Sequence, residues 1–232
     1  MKILFYDLET TGLHPETAAI IQLAGILVEL TENNDIKPIS GFNYTMKPRV
    51  GREIDSSALD INGFTMEDLA SFQDDKEVFS KFIKFLDKHI DQFNKVDKAM
   101  LAGYNNTHFD TDFLRQWFID NNNNYFGSYF WSNSIDVMPE ASRYFAHYRP
   151  ALLNFKLCTV AKAAGINIEQ ENLHDGLYDI KLTLMLFKKL LSEPYIKPFN
   201  SEEAEKLYNQ MLEDKKNTKY TPRKEPVIVK WK

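Results

Sequence analysis

A chain of 232 residues in which 44% are hydrophobic and 13% aromatic has ample material for a packed core, which excludes wholesale disorder. The single cysteine, Cys158, excludes an internal disulfide and a cysteine-rich zinc site. With no signal peptide and no apolar run near the length of a membrane span, the chain reads as cytoplasmic, with no membrane partner. The formal net charge of −5 gives no global attraction to nucleic acid. It is nevertheless compatible with a nuclease, because clustered active-site carboxylates make the total negative while a bound cation does the contacting.

Residues 2–7 read as a buried strand, and Asp7 and Glu9 point to the same face because strand side chains alternate. Two like charges side by side on a strand repel, so this stretch needs a positive partner. A loop containing Gly12, His14 and Pro15 follows. A second β-rich run covers 20–30, turn chemistry fills TENNDIKP, and 42–48 alternates as a third strand, giving an antiparallel meander. The segment 77–90 places Val78, Phe79, Phe82, Ile83, Phe85 and Leu86 at helical spacing. A short buried strand is expected over 100–106 and a helix over 107–121, stopped by Asn121–Asn124. A strand end and a helix with Pro139 in its first turn span 134–148. A short helix over 157–166 closes at Gly165, and 174–192 is the last strong helix of the core. Early strands and later helices indicate an α/β fold: a mixed sheet of about five strands, the first three antiparallel, flanked by helices. After Pro194 the composition shifts, so the core is taken as 1–192. Residues 193–232 are taken as a separate helix, over 201–216, and a basic tail, either solvated or using Val227–Trp231 as a strand on the domain or a peptide docking on a partner.

Acidic residues gather at strand ends and helix starts: Asp7 with Glu9, Asp110, Asp136 and Asp179. Singly, each reads as a solvated carboxylate. Together, without a clustered lysine or arginine, they call for a hard cation on oxygen ligands, Mg²⁺ or Mn²⁺. Two such ions held by three or four carboxylates are suited to phosphodiester hydrolysis. His174, five residues before Asp179, is a natural general base for the water, because the unperturbed pKa of histidine lies near neutrality.

The three stretches FYDLETTG, GYNNTHFDTDFL and HDGLYD resemble, in order, the exonuclease motifs of the DnaQ-like 3′–5′ exonucleases of the histidine-type DEDD group, within the RNase H-like superfamily. The family pattern is D-x-E, then N-x-x-F-D, then H-x-x-x-x-D. Here it falls on Asp7 and Glu9, on Asn106, Phe109 and Asp110, and on His174 and Asp179. The tyrosine-type group is excluded because position 175 is Asp. INGFT at 61–65 resembles the family's I-H-G-I-T with Asn62 in place of histidine, and GYNNTHFD with SIDVM is most similar to the nuclease domain of bacterial exonuclease I.

The resemblance implies that Asp7, Glu9, Asp110 and Asp179 hold two divalent ions, Mg²⁺ or Mn²⁺, and that His174 is the general base. It implies that Thr10, Thr11, Gly12 and Leu13 line the 3′-terminal nucleotide, and that Asn106 and Phe109 flank the scissile region. Asp136 matches a position that is acidic but structural. The rival base His108 would point away from Asp110 on a helix start. The aromatic groups Tyr125, Phe126, Tyr129, Phe130 and Trp131, and Tyr144, Phe145 and Tyr148, are either stacking platforms for bases or core packing beneath a long loop. Lys156, Arg143 and Arg149 are candidate phosphate contacts. The implied function is metal-dependent 3′–5′ exonuclease action on single-stranded DNA, releasing nucleoside 5′-monophosphates. The alternatives are an exoribonuclease, a proofreading subunit that meets a polymerase or other protein through the tail, and an inactive binding module. The last is disfavoured because all five motif residues are present.

Overall fold

The computed structural model describes residues 1–107, 109–168 and 176–192, together with the isolated positions 206, 209, 210 and 213. Strands β1 (Lys2–Thr10), β2 (Ile20–Leu30) and β3 (Ile36–Thr45) form the expected antiparallel meander. β4 (Ala99–Gly103) and β5 (Phe130–Asp136) extend the sheet in parallel on the other side of β1, giving the order β3-β2-β1-β4-β5. Residues 3–6 of β1 read as an unbroken apolar run because this part of the strand is central and covered on both faces.

Alternation along β1 divides the core. Leu4, Tyr6 and Leu8 face one layer, where they pack with α3 (Asp75–His89) and α4 (Asp110–Asp120) through Val78, Phe82, Leu114 and Phe118. Ile3 and Phe5 face the other, formed by α6 (Val137–Tyr144), α7 (Leu157–Ala163) and α8 (Gly176–Ser192) through Ala141, Val160, Ile180 and Leu186. The remaining helices are short: α1 (Ser56–Asn62), α2 (Met66–Ser71) and α5 (Phe126–Tyr129). α1 is capped by Asp55 and ends at Gly63, whose φ of 74° is the left-handed conformation glycine adopts at low cost. α2 begins with a capping box between Thr65 and Asp68.

Several elements differ from the sequence reading. β1 runs three residues past the expected end, to Thr10, because β2 continues to pair with it. There the register slips: Glu9 faces Gln22 while Thr10 faces Ile20, so Ile21 is the extra residue of a bulge. The fully buried Ile21 then packs on Leu59 of α1 and Leu69 of α2. β3 occupies Ile36–Thr45 rather than 42–48, and Pro38 is accommodated because β3 is an edge strand with a second register slip beside it. β4 stops at Gly103, and Asn105 takes a positive φ of 63° in the turn that follows. β5 starts at Phe130, four residues before the expected strand end.

Phe126, Tyr129, Phe130, Tyr144 and Phe145 are buried, so for these five core packing is the outcome and base stacking is not. The expected helix over 201–216 and the segment 227–231 lie outside the described residues, apart from the four isolated positions. Among the described residues, no helix is long and apolar enough to cross a membrane.

Candidate active site

The pairing of β1 opens the site. β4 accompanies β1 from Lys2 only as far as Phe5, whereas β2 accompanies it to Thr10. Asp7 and Glu9 therefore lie on a strand with a neighbour on one side only, beyond the carboxyl end of β4, where α/β sheets commonly place ligands. The residues opposite them on β2 are Ala24 and Gln22. Both acids are half-buried.

α4 starts in this gap. Asp110 is its first residue and is buried, at 7% exposure. The chain is led there by Asn106, whose carbonyl accepts from the Thr111 backbone N–H at 3.2 Å, and by Phe109, half-buried against Phe113 with ring centroids 4.9 Å apart. Asp136 is structural, as expected. It caps α6 through the Met138 N–H at 3.0 Å and accepts from Asn105 N–H at 2.8 Å and the Thr107 hydroxyl at 3.1 Å.

From the opposite layer α8 brings Asp179 in its first turn. Gly176 at its start is packed closely on this region: a Cβ there would stand 3.6 Å from Ala24 Cβ and 3.8 Å from Asp7 Oδ2. A cavity of about 140 Å³ lies between the layers, with Asp7, Asp179, Tyr104, Gly103 and Thr183 in its walls.

The electrostatics follow from this crowding. Burial pushes the Asp7 carboxyl well above the usual carboxylate range, and the charges of Asp110, Glu9 and Asp179 push it further. Glu9 is raised to about 7, by burial first and then by Asp179. Asp110 is raised to about 7 by burial, with Glu9 and Asp136 adding to it; the backbone N–H groups of Asp110 and Leu8 oppose the rise. Among the described residues, no Lys, Arg or His forms a salt bridge with Asp7, Glu9 or Asp110. Such a group of hard oxygen donors lowers its own repulsion either by binding protons or by binding a cation. Its donor chemistry fits a divalent ion, although among the described residues no three of these side chains are drawn into a closed ion-binding cluster.

The expected nucleotide-lining stretch divides into braces and an exposed tip. Thr10 is buried, its hydroxyl donating to the Gly12 carbonyl at 2.8 Å. Thr11 is wholly buried and uses all its polar groups internally. Its hydroxyl donates to Glu53 O at 2.6 Å and accepts from Ala19 N–H at 2.9 Å, and its backbone joins Ala19 and Asp55. Leu13, by contrast, is 74% exposed at the end of the turn. Asn106 is only 1% exposed, and its amide nitrogen and oxygen have no hydrogen-bond partner among the described residues. His174, expected as the base, lies outside the described residues, as does its rival His108.

Three features escaped the sequence reading. Asn62, noted only as a departure from the family pattern, donates from its amide to Thr10 O at 3.2 Å and ties α1 to the end of β1. Arg52 pairs with Asp120 of α4 and donates to Pro15 O at 3.3 Å, binding the 11–18 turn to that helix. Tyr6 meets Thr111 beneath the acids, at 2.9 Å. None of these pairs leaves a local signal, since their partners lie 37 to 105 residues apart.

Comparison with known proteins bears on the family and the fold. The RNase_T exonuclease family matches residues 4–187. Ribonuclease T of Vibrio campbellii is 24% identical over 193 residues, which are 78% of this chain and 81% of that protein. A PolC-type DNA polymerase III of Mycoplasmopsis pulmonis is 26% identical over 217 residues, 91% of this chain and 13% of the polymerase. The crystal structure of Escherichia coli exonuclease I in complex with a dT13 oligonucleotide shares the fold, with a TM-score of 0.63 at 24% identity. That alignment covers 83% of this chain and 42% of the exonuclease I chain, so the protein spans about two fifths of that enzyme's length. With a family match running from β1 into α8 and a sheet of the same architecture, the chain belongs to the RNase_T exonuclease family, the DnaQ-like branch of the RNase H-like fold, and is a nuclease of the hydrolase class.

Proposed function

We propose that this protein is a divalent-metal-dependent 3′–5′ exonuclease that removes nucleoside 5′-monophosphates one at a time from a single-stranded 3′ end, with DNA as the substrate. The observation that carries the reading is the group Asp7, Glu9, Asp110 and Asp179, assembled from β1 and the starts of α4 and α8. Within it, Asp7, Glu9 and Asp110 all have a raised affinity for protons.

These four carboxylates are the residues that would hold two Mg²⁺ or Mn²⁺ ions. When bound, such ions supply charge neutralisation for the attacking and leaving oxygens of the phosphodiester. His174, which precedes Asp179 at the family spacing, takes the proton of the attacking water. The water oxygen bonds to phosphorus as the bond from phosphorus to the 3′ oxygen breaks, leaving a 5′-monophosphate and a shortened strand.

Leu13, exposed at the tip of a turn fastened by Thr10 and Thr11, offers an apolar surface to the last base. The Gly12 backbone lets the nucleotide approach closely, and Phe109 and Asn106 stand beside the scissile region. Thr10 and Thr11 act by holding the backbone through buried hydroxyls that donate to main-chain carbonyls, and Asn106 does so through its own carbonyl, which accepts from Thr111. The segment 193–232 serves as a docking arm for a polymerase or another protein.

A second reading, 3′ trimming of RNA, is favoured by the likeness to the Vibrio campbellii ribonuclease T, 24% identical over 81% of that protein. The same carboxylates serve either sugar, and discrimination rests on contacts near the 2′ position.

The test compares labelled single-stranded DNA, duplex DNA and RNA in Mg²⁺ or in EDTA, with Asp7→Ala and His174→Ala alongside. Mg²⁺-dependent release of 5′-monophosphates, fastest from single-stranded DNA and abolished in both variants, is the expected result. Activity in EDTA, or full activity in Asp7→Ala, overturns the mechanism. A preference for RNA replaces the DNA reading with the second one.

A further inference from the structure

Tyr6 is 2% exposed and stands one residue before Asp7 on the face of β1 that meets α4. Its phenol oxygen lies 2.9 Å from the hydroxyl of Thr111, one residue after Asp110. That hydroxyl lies 3.2 Å from the Asn106 carbonyl, which can only accept. Thr111 therefore donates to Asn106, and Tyr6 donates to Thr111. The same Asn106 carbonyl also receives the Thr111 backbone N–H at 3.2 Å. The result is a directed chain from strand to helix start, closing a separation of 105 residues, with each hydroxyl carried by a residue next in sequence to one of the acids.

A phenol buried for packing alone is costly, since phenylalanine fills nearly the same volume without a hydroxyl to satisfy. Phe5, next along β1, shows that the strand accepts phenylalanine on its other face. The hydroxyl of Tyr6 thus has a use beyond filling the core. Asp7 itself sits on the opposite side of the strand from Tyr6. The bond consequently fixes where α4 begins relative to the β1 backbone while leaving the acids themselves untouched.

We propose that Tyr6 and Thr111 are positioning residues that set Asp110 against Asp7, and through that spacing the affinity of the acid group for divalent cations. This rests on the metal-binding reading above.

The test uses the full chain, stripped with EDTA, and calorimetric titration with Mn²⁺ in the absence of nucleic acid. It is paired with the Mg²⁺ dependence of single-stranded DNA cleavage. Tyr6→Phe and Thr111→Val should each weaken Mn²⁺ binding and raise the half-saturating Mg²⁺ concentration by roughly fivefold to tenfold, the size of one buried hydrogen bond. The KM for DNA at saturating Mg²⁺ should stay within about twofold. The double variant should be no worse than Thr111→Val alone, because that substitution already removes the bond lost in Tyr6→Phe, together with the one to the Asn106 carbonyl. Thr111→Ser keeps the hydroxyl and should behave as wild type. Variants that lose stability to urea yet bind Mn²⁺ like the wild type would show the chain to be structural only, overturning the proposal. If Tyr6→Phe does not fold, Thr111→Val carries the same comparison. A wild type that binds no Mn²⁺ removes the metal-binding reading itself, an outcome distinct from equal binding by all forms.

Discussion

Replacing Glu9 by glutamine removes one charge from the acid group while keeping the side chain's shape. In the metal-free protein the Glu9 carboxyl, ordinarily near 4.5, is raised to about 7 by burial and by Asp179. The folded state therefore holds a proton, between pH 4.5 and about 7, that the unfolded chain releases. The stability linked to Glu9 is complete below 4.5 and is lost as pH rises through about 7. The shift corresponds to a ceiling of ~3 kcal/mol, a large part of the 5–15 kcal/mol typical of a domain. Part of this is shared, because discharging Glu9 also relieves Asp110, on which its charge acts.

In EDTA, urea denaturation should then find Glu9→Gln more stable than wild type at pH 8 by about 1–3 kcal/mol and nearly equal to it at about pH 4, below the unfolded pKa. The difference between the two proteins cancels other titrating groups, including Asp75, raised by burial, and Asp97, lowered by hydrogen bonds from the Asp91 N–H and Lys2. Mg²⁺ should stabilise the wild type more than the variant, and cleavage by the variant should be lost. Equal or lower stability of Glu9→Gln at pH 8 in EDTA would falsify the claim that these acids are held together at a cost.

Arg52→Met leaves the half-buried Asp120 without its guanidinium, with Gln116 as its remaining side-chain donor among the described residues, and should cost about 1–3 kcal/mol in urea denaturation, while Arg52→Met with Asp120→Leu should recover most of that loss; equal losses in both proteins would mean that the pair's charges are irrelevant. Gly103→Ala places a Cβ 2.7–2.9 Å from the Asn106 side chain and should lower stability by about 1–3 kcal/mol and slow cleavage of single-stranded DNA. Wild-type behaviour in both measurements would show that Asn106 has room to move.

What was legible in the sequence is the chemistry confined to short spacings. Asp7 and Glu9 announce themselves because period two places like charges on one face of an apolar strand. Asp110 behind Phe109, ahead of a Phe-Leu pair, marks a helix start. Val78, Phe79, Phe82 and Leu86 fix the buried face of α3 by period alone, and all four are buried. The α1 and α2 segments, at seven and six residues, are too short to show a period. The extra residue at Ile21 could not be read either, since it depends on how two strands slip rather than on either sequence. Asn106 was assigned by its motif to the substrate, yet its side chain is buried; a motif preserves a residue type without stating whether it touches the ligand or holds the backbone that does. The Arg52–Asp120 and Tyr6–Thr111 pairs are products of chain crossing, 68 and 105 residues apart, and nothing local foretells them.

The placement of the acids on rigid elements explains why repulsion among them has chemical value. Were Asp7 and Glu9 on a loop, the backbone could drift until the charges parted. On β1 they are held by pairing with Ala24 and Gln22 as far as the bulge, and Asp110 is fastened to the same strand through Thr111 and Tyr6. The loss of the β4 partner after Phe5 supplies the gap into which α4 brings its carboxylate. With movement closed off, the remaining ways to lower the energy are to take up protons or to take up cations. Below about pH 7 protons are available to Glu9 and Asp110, and above it a divalent ion competes with less opposition. The same repulsion that destabilises the bare site is therefore what a bound cation would relieve under the proposed function.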